Sequence, residues 1–365
     1  GVKVVYDSVG KDTWDKSLAA DAETPTFEPR TASFAAPIFA PRADAPVPVQ
    51  RGSFPLRLDL RRGGAHDLVL RWQILGVQEA PLLIVLGGIS AHRQLAANAI
   101  DASEGWWPQQ VRRGGALDPF AYQLLSIDWI GADGALDAAI DPDDQAQALI
   151  ALLAHLQIKQ VAACIGASYG AMVGLHLAKR LAARLGHLVV LNAAHRPHPF
   201  ASAWRAIQRR IVRLGSEHEA AHEAVALARQ LAVLSYRTPG EFAARFADKV
   251  ALDGGVARCA AEPYLDAQGE RFAHRFAGTA FLRLSESIDL HDIDPADVPV
   301  PVTVFAARSD QIVPVEDVRA FAVAVPLLHR YHEIDSVFGH DSFQKEDARV
   351  QAVLPTAPTL LVRDV

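Results

Sequence analysis

Three side chains of this 365-residue sequence have the types and order needed for nucleophilic chemistry: Ser168, Asp310 and His340. Ser168 stands in Gly166-Ala167-Ser168-Tyr169-Gly170, directly after the apolar run QVAACIGAS and directly before a helical pattern. A G-x-S-x-G turn between strand and helix holds the serine on a sharp corner, its hydroxyl clear of the sheet. The flanking glycines let the backbone close up where a Cβ would collide. Asp310 ends the run VPVTVFAARSD, at the carboxyl edge of a strand, where open α/β sheets gather their ligands. His340 follows in Phe338-Gly339-His340-Asp341, read as a loop. A serine hydroxyl is a poor nucleophile at its free pKa. His340 takes its proton, and Asp310 fixes the imidazole tautomer and balances the imidazolium. Singly, Asp310 reads as a strand-end cap and His340 as one of 14 histidines; their joint placement carries the assignment. The chemistry is acyl transfer, and its oxyanion needs N–H donors. Gly87, which opens the Gly87-Gly88 pair after PLLIVL, and Tyr169 are the expected pair.

The elements that must position these groups are legible as alternating runs. Ser53–Leu60 and Asp67–Gln73 alternate and predict a hairpin. Buried strands are expected in PLLIVLGG, YQLLSIDWIG, QVAACIGAS, HLVVLNA and VPVTVFAARSD, because continuous apolar runs suit strands covered on both faces. Helical patterns over Pro142–Leu156, Tyr169–Arg184 and Val315–Ala324 separate them. The acidic run Asp141, Asp143 and Asp144 suits a helix N-terminus rather than a cation site. Strand and helix in alternation predict a doubly wound, mostly parallel sheet. From residue 196 to 297 the pattern becomes helical and rich in Ala and Arg, as expected of an inserted helical lid domain. The core is then 51–195 with 298–350. Residues 1–50, with six prolines between Pro25 and Pro48, are expected to be a disordered or mis-assigned leader, and 351–365 a C-terminal tail. Residues 4–14 (VVYDSVGKDTW) resemble a fragment of a nucleotide-binding oxidoreductase, but so short a piece cannot bury a core.

Composition removes several functions. A net charge of −6 argues against nucleic-acid or anionic-membrane binding. Two cysteines, Cys164 and Cys259, make neither a disulfide framework nor a four-thiolate zinc site, and Cys164 reads as core. No apolar run has the length of a membrane span. No metal motif is present: the histidines are scattered, and His195 and His198 read as hinge residues of the insertion. No strand runs into G-x-G-x-x-G, which disfavours a dinucleotide enzyme.

The order Ser, Asp, His is that of the α/β-hydrolase fold. Wider segments resemble one family on that fold, the homoserine O-acyltransferases of methionine biosynthesis. They include Ser90-Ala91-His92, Gly105-Trp106-Trp107, Gly115-Ala116-Leu117-Asp118, the helix segment Ala203–Arg209, Leu234-Ser235-Tyr236-Arg237, Tyr264-Leu265-Asp266, Gln268–Phe272 and Gly339–Phe343, in family order from about residue 51 to 350. The resemblance implies that an acyl group passes from acyl-CoA (acetyl-CoA or succinyl-CoA) to Ser168 and then to the hydroxyl of L-homoserine, with no bound cofactor. It matches Arg209 to the family's substrate-binding arginine, which can hold a carboxylate in a bidentate fork. Asp341 is expected to take the substrate ammonium and aim the hydroxyl at His340, and Tyr236 to make a polar contact in the same pocket. On residues alone, Arg209 reads as surface charge, Asp341 as a loop hydrogen-bonder and Tyr236 as core. The family reading also implies a cytoplasmic homodimer joined through the lid helices.

The sequence departs from the family in three places. The segment GADGALDAAIDPDD after IDWIG is short, Tyr169 stands where the family commonly has Met or Leu, and Gly87-Gly88 replaces a bulkier pair. These changes are expected on the acyl and pantetheine side of the pocket, so they leave the donor open. Arg93, Arg205 and Arg237 are candidates to meet a succinyl carboxylate. Serine is a possible acceptor too, since one methylene is worth only about 1 to 3 kcal/mol. A carboxylesterase or thioesterase would keep the triad but leave the insertion motifs unexplained, and an intact triad speaks against a non-catalytic binding protein.

Overall fold

A computed structural model describes residues 46–354. Ten strands and ten helices are labelled here in chain order. The strands are β1 Val49–Leu60, β2 Gly64–Gly76, β3 Leu82–Leu86, β4 Gln123–Ile127, β5 Ala163–Ala167, β6 Leu188–Leu191, β7 Ala251–Asp253, β8 Val256–Arg258, β9 Val302–Ala307 and β10 Leu328–Ile334. The helices are α1 Pro142–His155, α2 Tyr169–Leu181, α3 Pro199–Glu217, α4 Ala221–Tyr236, α5 Pro239–Arg245, α6 Glu262–Ala273, α7 Gly278–Asp289, α8 Val315–Ala324, α9 Ser342–Lys345 and α10 Asp347–Gln351. Eight strands form one sheet in the order β1-β2-β4-β3-β5-β6-β9-β10. β2 runs antiparallel to β1 and β4; all other pairs in the sheet are parallel.

The apolar runs of the central strands have a direct cause, because side chains alternate between two covered faces. Ile84, Cys164, Val190 and Val304 point to one side, where α1, α2 and α8 supply Leu149, Val173 and Phe321. Val85, Ile165, Val189 and Phe305 point to the other, where the irregular segment before β4 supplies Leu95, Trp107 and Leu117, and the C-terminal turns supply Phe343 and Val350. Cys164 is fully buried in apolar surroundings, which push its thiol up to about 12, so it is core and not a nucleophile.

β1 begins at Val49, inside the span expected to be a leader; residues 1–45, with the oxidoreductase-like segment, lie outside the described residues, as do 355–365. β10 is a strand that carries no apolar run, LHRYHEI, because it is the edge strand and pairs only with β9. Between β6 and β9 the chain makes α3 to α7 and the small exposed hairpin β7–β8, turned through Gly254 and Gly255 at φ 55° and 82°. No helix among the described residues is long and apolar enough to cross a membrane.

The acidic run before α1 is a capping box. Asp141 accepts from the Asp144 N–H and Asp144 accepts from the Asp141 N–H, both at 3.0 Å. The same two carboxylates hold the β1–β2 turn: Arg61 donates from its backbone N–H to Asp144 at 3.0 Å and from its guanidinium to Asp141 at 3.2 Å. Asp141→Ala is expected to cost about 1 to 2 kcal/mol, read as a lowered midpoint in urea or thermal unfolding with unaltered secondary structure.

Candidate active site

The corner between β5 and α2 places Ser168 at φ 53°, ψ −119°. Its neighbours explain how the chain tolerates this. A Cβ on Gly170 would sit 2.3 Å from the Leu86 carbonyl oxygen, and one on Gly166 would sit 2.5 Å from the Ala171 Cα. Only glycine lets α2 start this close to the end of β3. The Gly170 N–H donates to the Gly87 carbonyl at 2.9 Å, locking the corner to the loop after β3.

Ser168, His340 and Asp310 meet above the carboxyl ends of β5 and β9. The Ser168 hydroxyl donates to His340 Nε2 at 2.8 Å, and His340 Nδ1 donates to Asp310 Oδ2 at 2.6 Å. Asp310 Oδ1 accepts from the Ile312 and Val313 N–H groups, each at 3.0 Å. Asn192, at the end of β6 with φ 50°, donates to Asp310 Oδ2 at 3.2 Å and to Ser342 Oγ at 3.0 Å. Every lone pair that could swing the carboxylate away from the imidazole is thereby engaged. Asn192 was not singled out from sequence; an amide at the carboxyl end of a buried parallel strand was the available signal. Burial disfavours a charged His340, but the Asp310 charge and hydrogen bond, with the Asp341 charge, outweigh it and raise the imidazole above its ordinary 6.5.

Gly87 and Tyr169 flank this serine, and neither backbone N–H donates a hydrogen bond among the described residues. Gly87 packs so tightly that a Cβ there would meet Ala91 at 2.5 Å and Trp106 at 2.9 Å. The Tyr169 side chain points away from the cavity, contrary to the expectation that it shapes the acyl side. Its ring packs edge-on to Trp129, and its hydroxyl shares a 2.7 Å hydrogen bond with Ser287 of α7. It pins the insertion to the core.

A cavity of about 270 Å³ opens over Ser168 and His340, walled by Gly88, Trp106, Arg205, Tyr236 and Asp341 among others. Tyr236 lies against the catalytic imidazole, with ring centroids 6.2 Å apart. Asp341 is on the wall but already ion-paired, to Arg237 at 2.9 Å, and Arg237 also holds Glu241 at 2.7 Å. Arg209 is not on the wall. It turns to Asp289 at 2.6 Å and to Ser285 of α7, while Arg205, one turn earlier on α3, lines the cavity and pairs with the other oxygen of Asp289 at 2.6 Å. Two guanidinium groups share one carboxylate, so the cluster keeps one positive charge at the cavity edge. Arg93 lies outside this cavity, against Asp128 at 3.7 Å. His198 caps α3 through the Phe200 N–H, and His195 stacks on Phe321.

Against the expectation of no metal motif, His222, Glu270 and His274 bring possible ligand atoms within 4.8 Å on the exposed face of the insertion. There Glu270 accepts from both imidazoles at 2.9 Å. None of the three lines the cavity.

A serine hydrogen-bonded to a histidine that is itself held by a buried carboxylate is an arrangement that can carry acyl transfer through a covalent ester. The base must be neutral to act. Activity is therefore expected to rise with pH through an apparent pKa above 6.5, seen as the acid limb of kcat/KM.

Comparison with known proteins agrees with this chemistry. Residues 81–346 match the model of the alpha/beta hydrolase fold family. A homoserine O-succinyltransferase of Xanthomonas campestris is 48% identical over 320 residues, 87% of each chain. A homoserine O-acetyltransferase of Thermus thermophilus is 33% identical over 69% of this chain and 71% of its own. The crystal structure of homoserine O-acetyltransferase from Bacillus anthracis superposes with a TM-score of 0.75 over 84% of this chain and 98% of its own, at 14% identity, a likeness of fold. The chain belongs to the homoserine O-acyltransferase family within the α/β-hydrolase fold.

Proposed function

We propose that the protein moves an acyl group from acyl-CoA to the side-chain hydroxyl of L-homoserine through an ester on Ser168, a step of methionine biosynthesis carried out in the cytoplasm. The observation that carries this reading is the 48% identity across 87% of both chains to a homoserine O-succinyltransferase, in a chain whose triad is assembled.

His340 Nε2 takes the Ser168 proton as the oxygen attacks the thioester carbonyl. The oxyanion is received by the N–H groups of Gly87 and Tyr169. Collapse breaks the carbon–sulfur bond, and His340 returns its proton to the CoA sulfur. In the second half the homoserine hydroxyl gives its proton to His340 and attacks the ester carbonyl; as the bond to the Ser168 oxygen breaks, His340 passes that proton to the serine and returns to its neutral form. Asp310 balances the imidazolium in both halves. Water is the rival acceptor, and the insertion that closes the cavity over Ser168 acts as a lid that limits its access.

Homoserine is a zwitterion, and its carboxylate is drawn to the surplus charge of the Arg205–Asp289–Arg209 cluster. Arg205 makes the direct contact and Arg209 holds Asp289 in place. The ammonium is left to Asp341, which exchanges part of its bond to Arg237 for it. The donor stays between acetyl-CoA and succinyl-CoA, and a cavity of about 270 Å³ suits a small amino acid with a short acyl chain. A CoA-release assay crossing the two donors with homoserine, serine and water decides donor and acceptor together. Homoserine is expected to raise CoA release at least tenfold over water, and Ser168→Ala to abolish it. Equal rates with and without homoserine would mean a thioesterase.

The homodimer expectation gains support from the insertion surface. Phe200, Ile207 and Leu214, seven residues apart on α3, and Leu227 and Leu234 on the packed α4 are 42% to 58% exposed. A stripe of this kind is the surface a self-complementary two-fold contact buries. Leu214→Glu with Leu227→Glu is expected to halve the mass measured by analytical ultracentrifugation; a wild-type monomer would dismiss the contact.

A further inference from the structure

Beside the catalytic cavity lies a larger one of about 930 Å³, and the two share the wall made by Ser90, Ala91, Arg229 and Gln268. Its volume falls in the range of small-molecule sites. Six arginines line it. Three are neutralised by carboxylates on the same wall: Arg51 by Asp101 at 3.1 Å, Arg71 by Asp133 at 3.0 Å and Arg93 by Asp128 at 3.7 Å. The other three, Arg229, Arg271 and Arg275, come from α4, from α6 and from the turn after it, and none has a carboxylate within ion-pair distance among the described residues. Arg229 lies over the rings of Tyr236 and Phe272, with its guanidinium carbon 5.2 and 4.9 Å from their centroids. Among the described residues, the Arg271 side chain donates one hydrogen bond, to the backbone carbonyl of Ala267. One lining carboxylate, Glu104, is likewise without an ion pair, so the wall keeps a surplus of two positive charges. His92, another lining residue, is held below its ordinary value by burial and next by the Arg275 charge.

The three arginines contributed by the insertion are the ones left without a carboxylate, and Arg229 among them lines both cavities. Planar guanidinium groups without carboxylate partners, gathered at a concave wall, are an arrangement that takes phosphate oxygens in paired hydrogen bonds. We propose that Arg271 and Arg275, with Arg229 at the junction of the two cavities, bind the phosphate groups of the acyl donor, while its pantetheine arm passes Ser90 and Gln268 to reach Ser168. The inference rests on the acyl-CoA reading above and adds to it where the donor's charge is held. In this arrangement the insertion grips both substrates: Arg205 on α3 faces the acceptor, and the arginines of α4 and α6 face the donor.

The test measures binding without turnover, by calorimetry on the intact protein, with CoA, dephospho-CoA and pantetheine as ligands. Wild-type protein is expected to bind CoA at least tenfold more tightly than pantetheine, with the difference shrinking as salt is raised. Arg271→Glu with Arg275→Glu, two exposed positions, is expected to weaken CoA about tenfold or more and to change pantetheine less than twofold, with an unaltered unfolding midpoint. Arg271→Lys with Arg275→Lys, which keeps the charge but not the paired hydrogen bonds, should fall between wild type and the glutamate variant in CoA affinity. A dephospho-CoA affinity that still responds to the glutamate variant assigns the contact to the diphosphate, and one that no longer responds assigns it to the 3′-phosphate. Equal wild-type affinity for CoA and pantetheine, or equal losses of both in the variant, would overturn the subsite. Because CoA release to homoserine is measured separately, protein that transfers normally but fails this comparison loses the subsite alone. Protein that passes it without transferring loses the transferase reading alone.

Discussion

The conformation of Ser168 governs the rest of the molecule. At φ 53°, ψ −119° an L-residue bears about 1 to 3 kcal/mol of backbone strain. That strain persists because the surroundings leave no alternative: β5 is buried on both faces, α2 begins at once, and the Gly170 N–H is tied to the Gly87 carbonyl. Relaxing the corner would drag a glycine backbone away from Leu86 and open the packing between two central strands. The sheet does more than carry the serine. Its parallel order brings the ends of β3, β5, β6 and β9 to one edge, so the Gly87 loop, Ser168, Asn192 and Asp310 arrive together from segments far apart in sequence.

The insertion serves the same corner from above. Tyr169, the residue after Ser168, reaches into the core and shares a hydrogen bond with Ser287 of α7, which ties the start of α2 to the insertion. Asp289, two residues further on the same helix, holds Arg205 and Arg209 of α3. The catalytic turn, the roof and the cationic cluster are thus connected through α7, by hydrogen bonds that are largely withdrawn from water and so hold their geometry well.

The triad was legible because each member sits at the end of a local pattern: a buried run into G-x-S-x-G, a buried run into Ser-Asp, and a Gly-His-Asp loop. The hairpin and the central strands were legible for the same reason, since apolar periodicity is a local property. What escaped the sequence depends on distant partners. β10 is polar because it lies at the sheet edge, so its residues carry no pattern to distinguish them from a loop. Arg205 and Arg209 are one turn apart on α3 and present alike in sequence; the position of Asp289, about eighty residues on, decides which one lies on the cavity wall. Tyr169 was expected to shape the acyl pocket, but its hydroxyl finds Ser287 instead, a partner about 118 residues away.

The same dependence on distance explains why charge, rather than shape, separates the two ends of the site. Near Ser168 three guanidinium groups are tied: Arg205 and Arg209 to Asp289, Arg237 to Asp341 and Glu241. A small zwitterion entering there must exchange partners within existing ion pairs, which rewards a ligand offering both charges at the right separation and penalises one offering a single charge. In the outer cavity the arginines from α4 and α6 are untied, and a polyanion can bind them without breaking any pair. The two cavities thus differ in how their charge is held: ion pairs link Arg205, Arg237 and Asp341 on the wall near Ser168, and the outer wall carries arginines from the insertion that have no carboxylate partner among the described residues.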